Sequence, residues 1–498
     1  MNADVIVIGC GVAGLSAAVA AAEGGAEVTI LDRAPEDERG GNSRYTSAWM
    51  RMRTEDEVSE DLIDLLLERG HGAIPPDFVK EVSRNYAEWP AHVRAFPFND
   101  PEIVTSLIDN APPTMQWLKQ HGIKFTFYEP MLLETGAVRM GPSGGGLAVI
   151  DALAKSAERL GVKFLYQTTG RSLLLDDTGK VRGVRCWSKD RGVFEIDSQA
   201  VVVAAGGFQG NVEMMTRYVG ANAHFARPVS AGGLNNKGEG IEMMLAAGAA
   251  ASGQYDMFHG APIDPRSSRA EAIVGVINFG ILVNVYGRRF LDEGTNTYEH
   301  FYDEAAWTIM RQRLGRAHLI FDGTLFNIPH IKTRIQTEIE PLRASSIADL
   351  ARSIAVPERA LSETICDYNA ATVDGPFDMR KRDGLSTRGL VIPKSNWARP
   401  INDKDLHAYP VMCGNTFTCG GVKITGDGEV LNRDGEIIPG LYAAGESTGL
   451  YYNLYVGATS VLRGLVFGRQ AGRKICGQLS GQLAKQRSEG STTFSGGR

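Results

Sequence analysis

A chain of 498 residues that is 43% hydrophobic and 22% charged is too long for one ordinary core and too apolar for disorder, so two domains are expected. Its 58 acidic residues outnumber 52 basic ones for a formal charge of -6, which offers no overall basic field to nucleic acid and suits a small-molecule enzyme. The six cysteines are scattered without a CxxC pair, which argues against a zinc site or any other metal centre and against a disulfide framework, and favours a reducing, cytoplasmic compartment.

The apolar run Val5 to Ala22 is long enough to be mistaken for a membrane span or a signal sequence. It lacks a basic flank, has Asp4 at its border and carries Gly9, Gly11 and Gly14 at ordered spacing, so a buried strand, a tight turn and a helix explain it better. Val5 to Ile8 reads as a doubly covered parallel strand, Val12 to Glu23 as an Ala-rich helix and Val28 to Leu31 as the second strand of a βαβ unit. From Glu55 to Phe125 a helical insertion is expected, with Val58, Leu62, Leu65 and Leu66 at helical spacing and breaks at Pro75–Pro76 and Pro112–Pro113.

Leu147, Ile150, Leu153, Ala157 and Leu160 predict a helix that stops at Gly161. A strand over Val162 to Tyr166 follows, then a hairpin of Leu173–Leu175 and Val181–Val184 around Asp176-Asp177-Thr178-Gly179, and a buried strand at Val201 to Val203. The region 271–408 has its own mixed composition, with Pro393 to Pro400 as a return linker. Leu441 to Ala444 and Ser460 to Cys476 predict a last buried strand and a last helix, and the Gly-, Ser- and Thr-rich end predicts a loose tail.

Gly9-Cys10-Gly11-Val12-Ala13-Gly14 is a GxGxxG that follows a predicted strand and opens a predicted helix. In that context the first Gly permits the turn, the second lets a pyrophosphate approach the backbone, and the third lets helix and strand pack. The helix N-terminus then offers free N–H groups to phosphate. Asp32 ends the second strand, where its carboxylate can accept hydrogen bonds from both ribose hydroxyls. Far downstream, Ile438-Pro439-Gly440-Leu441-Tyr442-Ala443-Ala444-Gly445-Glu446 sets an apolar strand before a Gly-Glu pair, which resembles the second FAD fingerprint of two-dinucleotide-fold flavoproteins.

With both ends in view, the chain from Asp4 to about Cys476 resembles the flavoprotein family of fumarate reductase, succinate dehydrogenase and 3-ketosteroid dehydrogenase. Gly40-Gly41-Asn42-Ser43, Gly144-Gly145-Gly146-Leu147, Ala204-Ala205-Gly206-Gly207-Phe208, Gly280 to Asn284 with Gly287-Arg288-Arg289-Phe290 and Glu293, and Tyr368-Asn369-Ala370 match family segments in order. The run Gly41 to Thr46 is most similar to the tricarballylate dehydrogenase branch. The resemblance implies an α/β fold, a Rossmann-like FAD-binding domain with an inserted α+β capping domain. Its expected extents are 1–270 (with the insertion at about 55–125), 271–408 for the cap, 409–485 for the return segment and 486–498 for the tail. It implies FAD held by Gly9, Gly11, Ala13, Gly14, Asp32, Arg33, Gly41, Asn42, Ser43, Gly145, Ala205, Gly206, Gly445, Glu446, Ser460 and Val461. Arg44 and Tyr45 stand where a histidine attaches the flavin covalently in succinate dehydrogenase, so noncovalent FAD is expected.

The site also departs from fumarate reductase. Phe417-Thr418-Cys419-Gly420-Gly421 and Leu454-Tyr455-Val456-Gly457-Ala458-Thr459 stand where that family carries a substrate-binding His and Arg. Loss of both cationic clamps makes fumarate a poor substrate. An aromatic wall of Tyr409, Phe417, Tyr451, Tyr452 and Tyr455 suits a larger, partly apolar or cyclic one. The resemblance makes Tyr455, Glu293, Arg289 and His407 the catalytic candidates, with His259 bordering the cleft. Each has a structural alternative: a hydrogen-bonded tyrosine, a salt-bridged acid, a surface pair or a satisfied histidine. The implied activity is FAD-dependent hydride transfer between flavin N5 and a carbon–carbon bond next to a carbonyl or carboxyl group, as dehydrogenase or ene-reductase. A flavin oxidase and a noncatalytic redox partner are the alternatives. A quinone, a small redox protein or oxygen is the expected electron partner, since no second GxGxxG marks a nicotinamide site.

Overall fold

Val5, Ile6, Val7 and Ile8 are buried on every side, and a strand with no polar face can only sit in the middle of a covered sheet. They form the end of β1 (Asn2–Ile8), which runs into α1 (Val12–Glu23) and β2 (Val28–Leu31). The structure, a computed structural model, describes residues 2–62, 65–66, 99–128, 139–453 and 455–492. Further along lie α2 (Pro101–Gln120), α3 (Gly145–Arg159), β3 (Lys163–Leu165), β4 (Thr168–Leu175), β5 (Val181–Ser188) and β6 (Gly192–Val203). Next come β7 (Phe258–Ile263), β8 (Ile281–Asn284), α4 (Tyr298–Met310), β9 (Arg316–Asp322) and α5 (Glu358–Ala371). The chain then returns through β10 (Leu406–Thr418), β11 (Glu429–Leu431), β12 (Ile437–Ala443) and α6 (Ser460–Thr492).

Among the described residues the first sheet has the order β11-β12-β6-β1-β2-β3, with the β4–β5 hairpin joined through β5 to β6. β1 is parallel to both β2 and β6, and β6 is parallel to β12. The chain therefore leaves β1 in one direction and returns on its other side, which opens a crevice at the strand ends. α6 lies directly on α1: a Cβ at Gly468 or Gly472 would stand 2.2 or 2.4 Å from the carbonyl oxygens of Ala13 and Ala17.

The second sheet is built on β10, whose first half pairs antiparallel with β9 and whose second half pairs with β7. Alternate residues of β8 bury into separate clusters, Leu282 with Phe301, Leu319 and Tyr409, and Ile281 and Val283 with Leu350, Leu361 and Tyr368. This cap sheet extends across both expected boundaries, because β7 precedes residue 271 and β10 runs unbroken through 408/409.

The mixed α/β architecture is the expected one, with four local differences. Val58, expected at the start of a helical run, instead pairs with Met52 in a short antiparallel hairpin. α2 continues through Pro112 and Pro113, the expected break; its buried face of Leu107, Ala111, Met115 and Leu118 holds the helix together where the two N–H groups are missing. The strand expected at Val201–Val203 is the end of a twelve-residue β6, whose first half pairs with β5. α6 runs on to Thr492, beyond the expected end at Cys476 and into the expected tail; the extension carries Gln, Leu, Ala, Lys and Arg residues that favour a helix alongside Gly477, Gly481 and Gly490 that do not. Pro75, Pro76, Leu454 and residues 493–498 lie outside the described residues. No helix among the described residues is long and apolar enough to cross a membrane.

Candidate active site

The crevice at the ends of β1, β2, β6 and β12 opens into a cleft. Gly9 adopts φ +105°, and a Cβ there would stand 2.3 Å from the Ala204 carbonyl oxygen. A Cβ at Gly14 would meet the Gly9 oxygen at 1.9 Å, so this glycine lets α1 touch the turn. Gly11 differs, since its Cβ position has only ordinary contacts, to Ser43 Oγ at 3.5 Å and Gly40 O at 3.7 Å. It leaves the N-terminus of α1 without a capping side chain and open to the cleft.

Asp32 Oδ2 accepts from the Cys10 N–H at 2.7 Å and Oδ1 from the Ala34 N–H at 2.8 Å. Burial pushes its carboxyl above the ordinary value, against those two hydrogen bonds, which pull it down. Arg33 pairs with Glu239 at 2.9 Å. Asn42 donates to the Thr416 carbonyl at 2.7 Å and accepts from Ser230 Oγ at 2.6 Å, which locks the loop at residues 41–45 under the cleft. Glu446 accepts from the Thr418 N–H at 2.8 Å, from Asn236 at 3.1 Å and from Gln209 at 3.3 Å, and burial raises its carboxyl.

Gly9, Gly11, Ala13, Asp32, Arg33, Gly41, Asn42, Ser43, Ala205, Gly206, Gly445, Glu446, Ser460 and Val461 all line this one cleft. Gly14 and Gly145 do not; they pack its walls, Gly14 against the Gly9 turn and Gly145 against the Thr46 carbonyl, where a Cβ would stand 3.0 Å away. A carboxylate for ribose, a glycine turn at an open helix N-terminus and a second helix start at Ser460 are the donor set that a dinucleotide with a flavin ring needs. The residues present therefore fit FAD.

Beside the cleft, Tyr455 packs against His259, Phe417 and Tyr451, with ring centroids 4.3, 4.8 and 5.2 Å away. Its hydroxyl donates to Ser460 Oγ at 3.2 Å. His259 Nε2 shares a hydrogen bond with Tyr302 OH at 2.8 Å, and burial lowers its pKa to about 3, so the imidazole is neutral. Tyr409 is not part of this wall: it stacks in the cap core with Phe321. Tyr452 is drawn aside by the Gly253 N–H, which it accepts at 2.7 Å.

Three of the expected catalytic residues lie elsewhere. Arg289 and Glu293 form a fork-to-fork pair, with Nη2 to Oε2 at 2.6 Å and Nε to Oε1 at 3.1 Å, inside the cap. Lys394, fully buried, stands 3.9 Å from the same carboxylate, and its ammonium donates to the carbonyls of Asn278 and Gly280. Burial lowers that lysine to about pH 8. None of the three lines the cleft. The segments Ile281–Asn284 and 289–293 are tied together by this cluster, since Leu282 N–H also donates to Glu293 Oε1 at 2.8 Å. His407 packs between Phe321 and Phe326 and faces Asp405 at 3.2 Å, so it belongs to the cap core.

Two cleft residues were not anticipated. Glu271 lines the cleft in a left-handed backbone conformation, φ +53°, and burial pushes its carboxyl to about 7. A non-glycine residue held there costs of order 1–3 kcal/mol, and such strain concentrates at functional sites. Arg463, in the first turn of α6, is 1% exposed. In sequence both are single charges inside apolar runs, Ala270-Glu271-Ala272-Ile273-Val274 and Val461-Leu462-Arg463-Gly464-Leu465, and that isolation is the signal that could have found them.

Residues 4–461 match the FAD-binding domain family (FAD_binding_2). Fumarate reductase (cytochrome) of Shewanella frigidimarina is 27% identical over 479 residues, covering 95% of this chain and 76% of that protein. Vinyl phenol reductase of Lactiplantibacillus plantarum is 26% identical over 506 residues, covering 94% and 95%. The 3-ketosteroid-delta4-(5alpha)-dehydrogenase of Rhodococcus jostii RHA1, solved with 4-androstene-3,17-dione, superposes with a TM-score of 0.67 at 25% identity over 95% of this chain and 97% of that one. The glycine turn, the Asp32 carboxylate and the shared cleft belong with that match: the chain is a member of the FAD-binding domain family, an FAD-dependent oxidoreductase of the class that acts on carbon–carbon bonds.

Proposed function

We propose that this enzyme reduces the carbon–carbon double bond of a planar, ring-bearing substrate conjugated to a carbonyl or carboxyl group, using noncovalently held FAD. The observation that carries the reading is the wall of Phe417, Tyr451, Tyr455 and neutral His259 beside the cleft. Such faces take up aromatic or cyclic surface at little desolvation cost. A relative of similar length is named for its action on a vinyl phenol, a substrate of this flat kind.

FAD, when bound, exchanges a hydride with the substrate's β-carbon. The remaining work falls to the protein. The aromatic wall orients the ring, and the cap sheet built on β10 excludes water. Glu271, titrating about 7, holds a proton at its carboxyl that it can deliver to the α-carbon near neutral pH. Tyr455, held by its hydrogen bond to Ser460, fixes the substrate end, and its hydroxyl polarises the substrate carbonyl once its proton turns from Ser460 Oγ to that oxygen.

Glu271→Gln is expected to lower kcat about 100-fold or more while FAD stays bound. In the wild type, kcat should fall as pH rises through about 7, because the protonated acid is the donor, and the fall should vanish in the variant. A variant with unchanged kcat and the same pH profile would remove Glu271 from the reaction. Tyr455→Phe should keep FAD and raise KM with a smaller loss in kcat; full turnover at wild-type KM would remove its role. Steady-state rates with ring-bearing enoates and enones, against fumarate as the comparison, read all of these.

A further inference from the structure

Arg463 heads the largest fully buried side chains, yet no carboxylate among the described residues comes within 4.0 Å of it. Nη1 donates to the Thr448 carbonyl at 3.2 Å, and Nε is buried without a hydrogen-bond partner. The guanidinium lies over the Tyr451 ring at 4.6 Å and the Phe417 ring at 5.8 Å. The charge of Arg463 acts on Glu446, pulling its carboxyl down against the burial that raises it, but that carboxylate lies beyond ion-pair distance and accepts from Thr418, Gln209 and Asn236 instead, while burial keeps Cys419 and Tyr451 protonated. A buried cation in this setting is costly unless a negative charge joins it. Arg463 lines the same cleft as Ser460 and Val461 and shares their helical turn.

We propose that Arg463 is a tuning residue for the flavin: its fixed positive charge compensates the negative charge that FAD gains on reduction, and so raises the reduction potential. The inference rests on the FAD reading above and adds to it a residue and a direction. Two helix-start N–H groups supply only partial charge, whereas a desolvated guanidinium supplies a whole one at low local dielectric. An enzyme whose flavin is held reduced more readily is also one that draws electrons from weak donors.

The test uses the holoenzyme, with Arg463→Met and Arg463→Lys, and reads FAD content and the two-electron midpoint potential by anaerobic titration. Arg463→Met is expected to keep oxidised FAD but to bind the reduced form at least tenfold less tightly relative to it, a drop of about 30 mV or more. Arg463→Lys should restore most of that drop. A Met variant that holds FAD with an unchanged potential overturns the proposal, as does a Lys variant no better than Met. A raised KM for a carboxylated substrate at unchanged potential does so too, since the cation would then serve the substrate. If Arg463→Met does not fold, the wild type still decides. Between pH 5 and 6, below the Glu271 range, free reduced flavin is neutral and takes up two protons per two electrons, so a one-proton slope of about 30 mV per pH unit supports a reduced flavin held as the anion, and a two-proton slope, about 59 mV, contradicts it. Wild-type protein that takes up no FAD at all defeats the cofactor reading itself, an outcome distinct from all of these.

Discussion

Gly11→Val is expected to fold normally and bind FAD at least about 100-fold more weakly, a loss of about 2.7 kcal/mol. The residue sits at φ -74° and ψ -179°, an extended conformation open to any L-residue. Its Cβ would meet nothing closer than 3.5 Å, so the added isopropyl group projects into the cleft rather than into the fold. What it blocks is the approach of a pyrophosphate to the N-terminus of α1, where charge-assisted hydrogen bonds are worth about 1.5–3 kcal/mol each. Gly14→Ala is the control with the opposite cause. Its methyl would lie 1.9 Å from a backbone oxygen, so α1 must shift, at about 1–3 kcal/mol of stability, and FAD is lost through the distorted turn. Apo-protein melting curves and FAD titration separate the two effects. Retention of FAD by Gly11→Val would mean that phosphate does not approach this turn.

Glu293→Gln should lower the stability of the cap by about 3–5 kcal/mol, because Arg289 then remains a buried cation without its paired carboxylate, and Lys394, already lowered by burial, loses the charge that favours its ammonium. The replaced carboxylate also accepts from the Leu282 N–H, so the start of β8 loosens with it. Arg289 retains carbonyl partners at Ile392 and Pro393, which limits its own loss but cannot neutralise it. Denaturant unfolding of holo-protein measures the effect, and FAD content at low denaturant should be unchanged, since no member of the cluster lines the cleft. A variant with wild-type unfolding midpoint and a collapsed kcat would return Glu293 to the catalytic machinery.

The nucleotide half of the site was legible because its chemistry is written in local order. The turn at Gly9, the helix after it, the strand before Asp32 and the strand before Gly445-Glu446 each depend on neighbours in sequence, and all meet at one crevice. The reacting half was less legible because it depends on which side chains the cap sheet turns inward. The resemblance offers Glu293, Arg289 and His407 for the reaction; in the fold Arg289 and Glu293 pair with each other in the segment after β8, and His407 on β10 packs against Phe321, contacts that no local pattern in the sequence announces. His259 and Tyr455, by contrast, are ring neighbours, with centroids 4.3 Å apart. Glu271 escaped notice because a lone acid in an apolar run resembles a surface residue until its backbone and burial are seen. The prolines of α2 misled for a related reason: propensity is a local term, and the buried face of that helix outweighs it.

The central claim is that the cleft at the ends of β1, β2, β6 and β12 holds FAD without a covalent link. The direct measurement is flavin content of the purified chain before and after acid precipitation, with the Gly11→Val variant alongside. A single FAD per chain, recovered entirely in the supernatant and absent from the variant, is the predicted result. Folded wild-type protein that stays colourless in excess FAD, or flavin that remains with the precipitate, would contradict it.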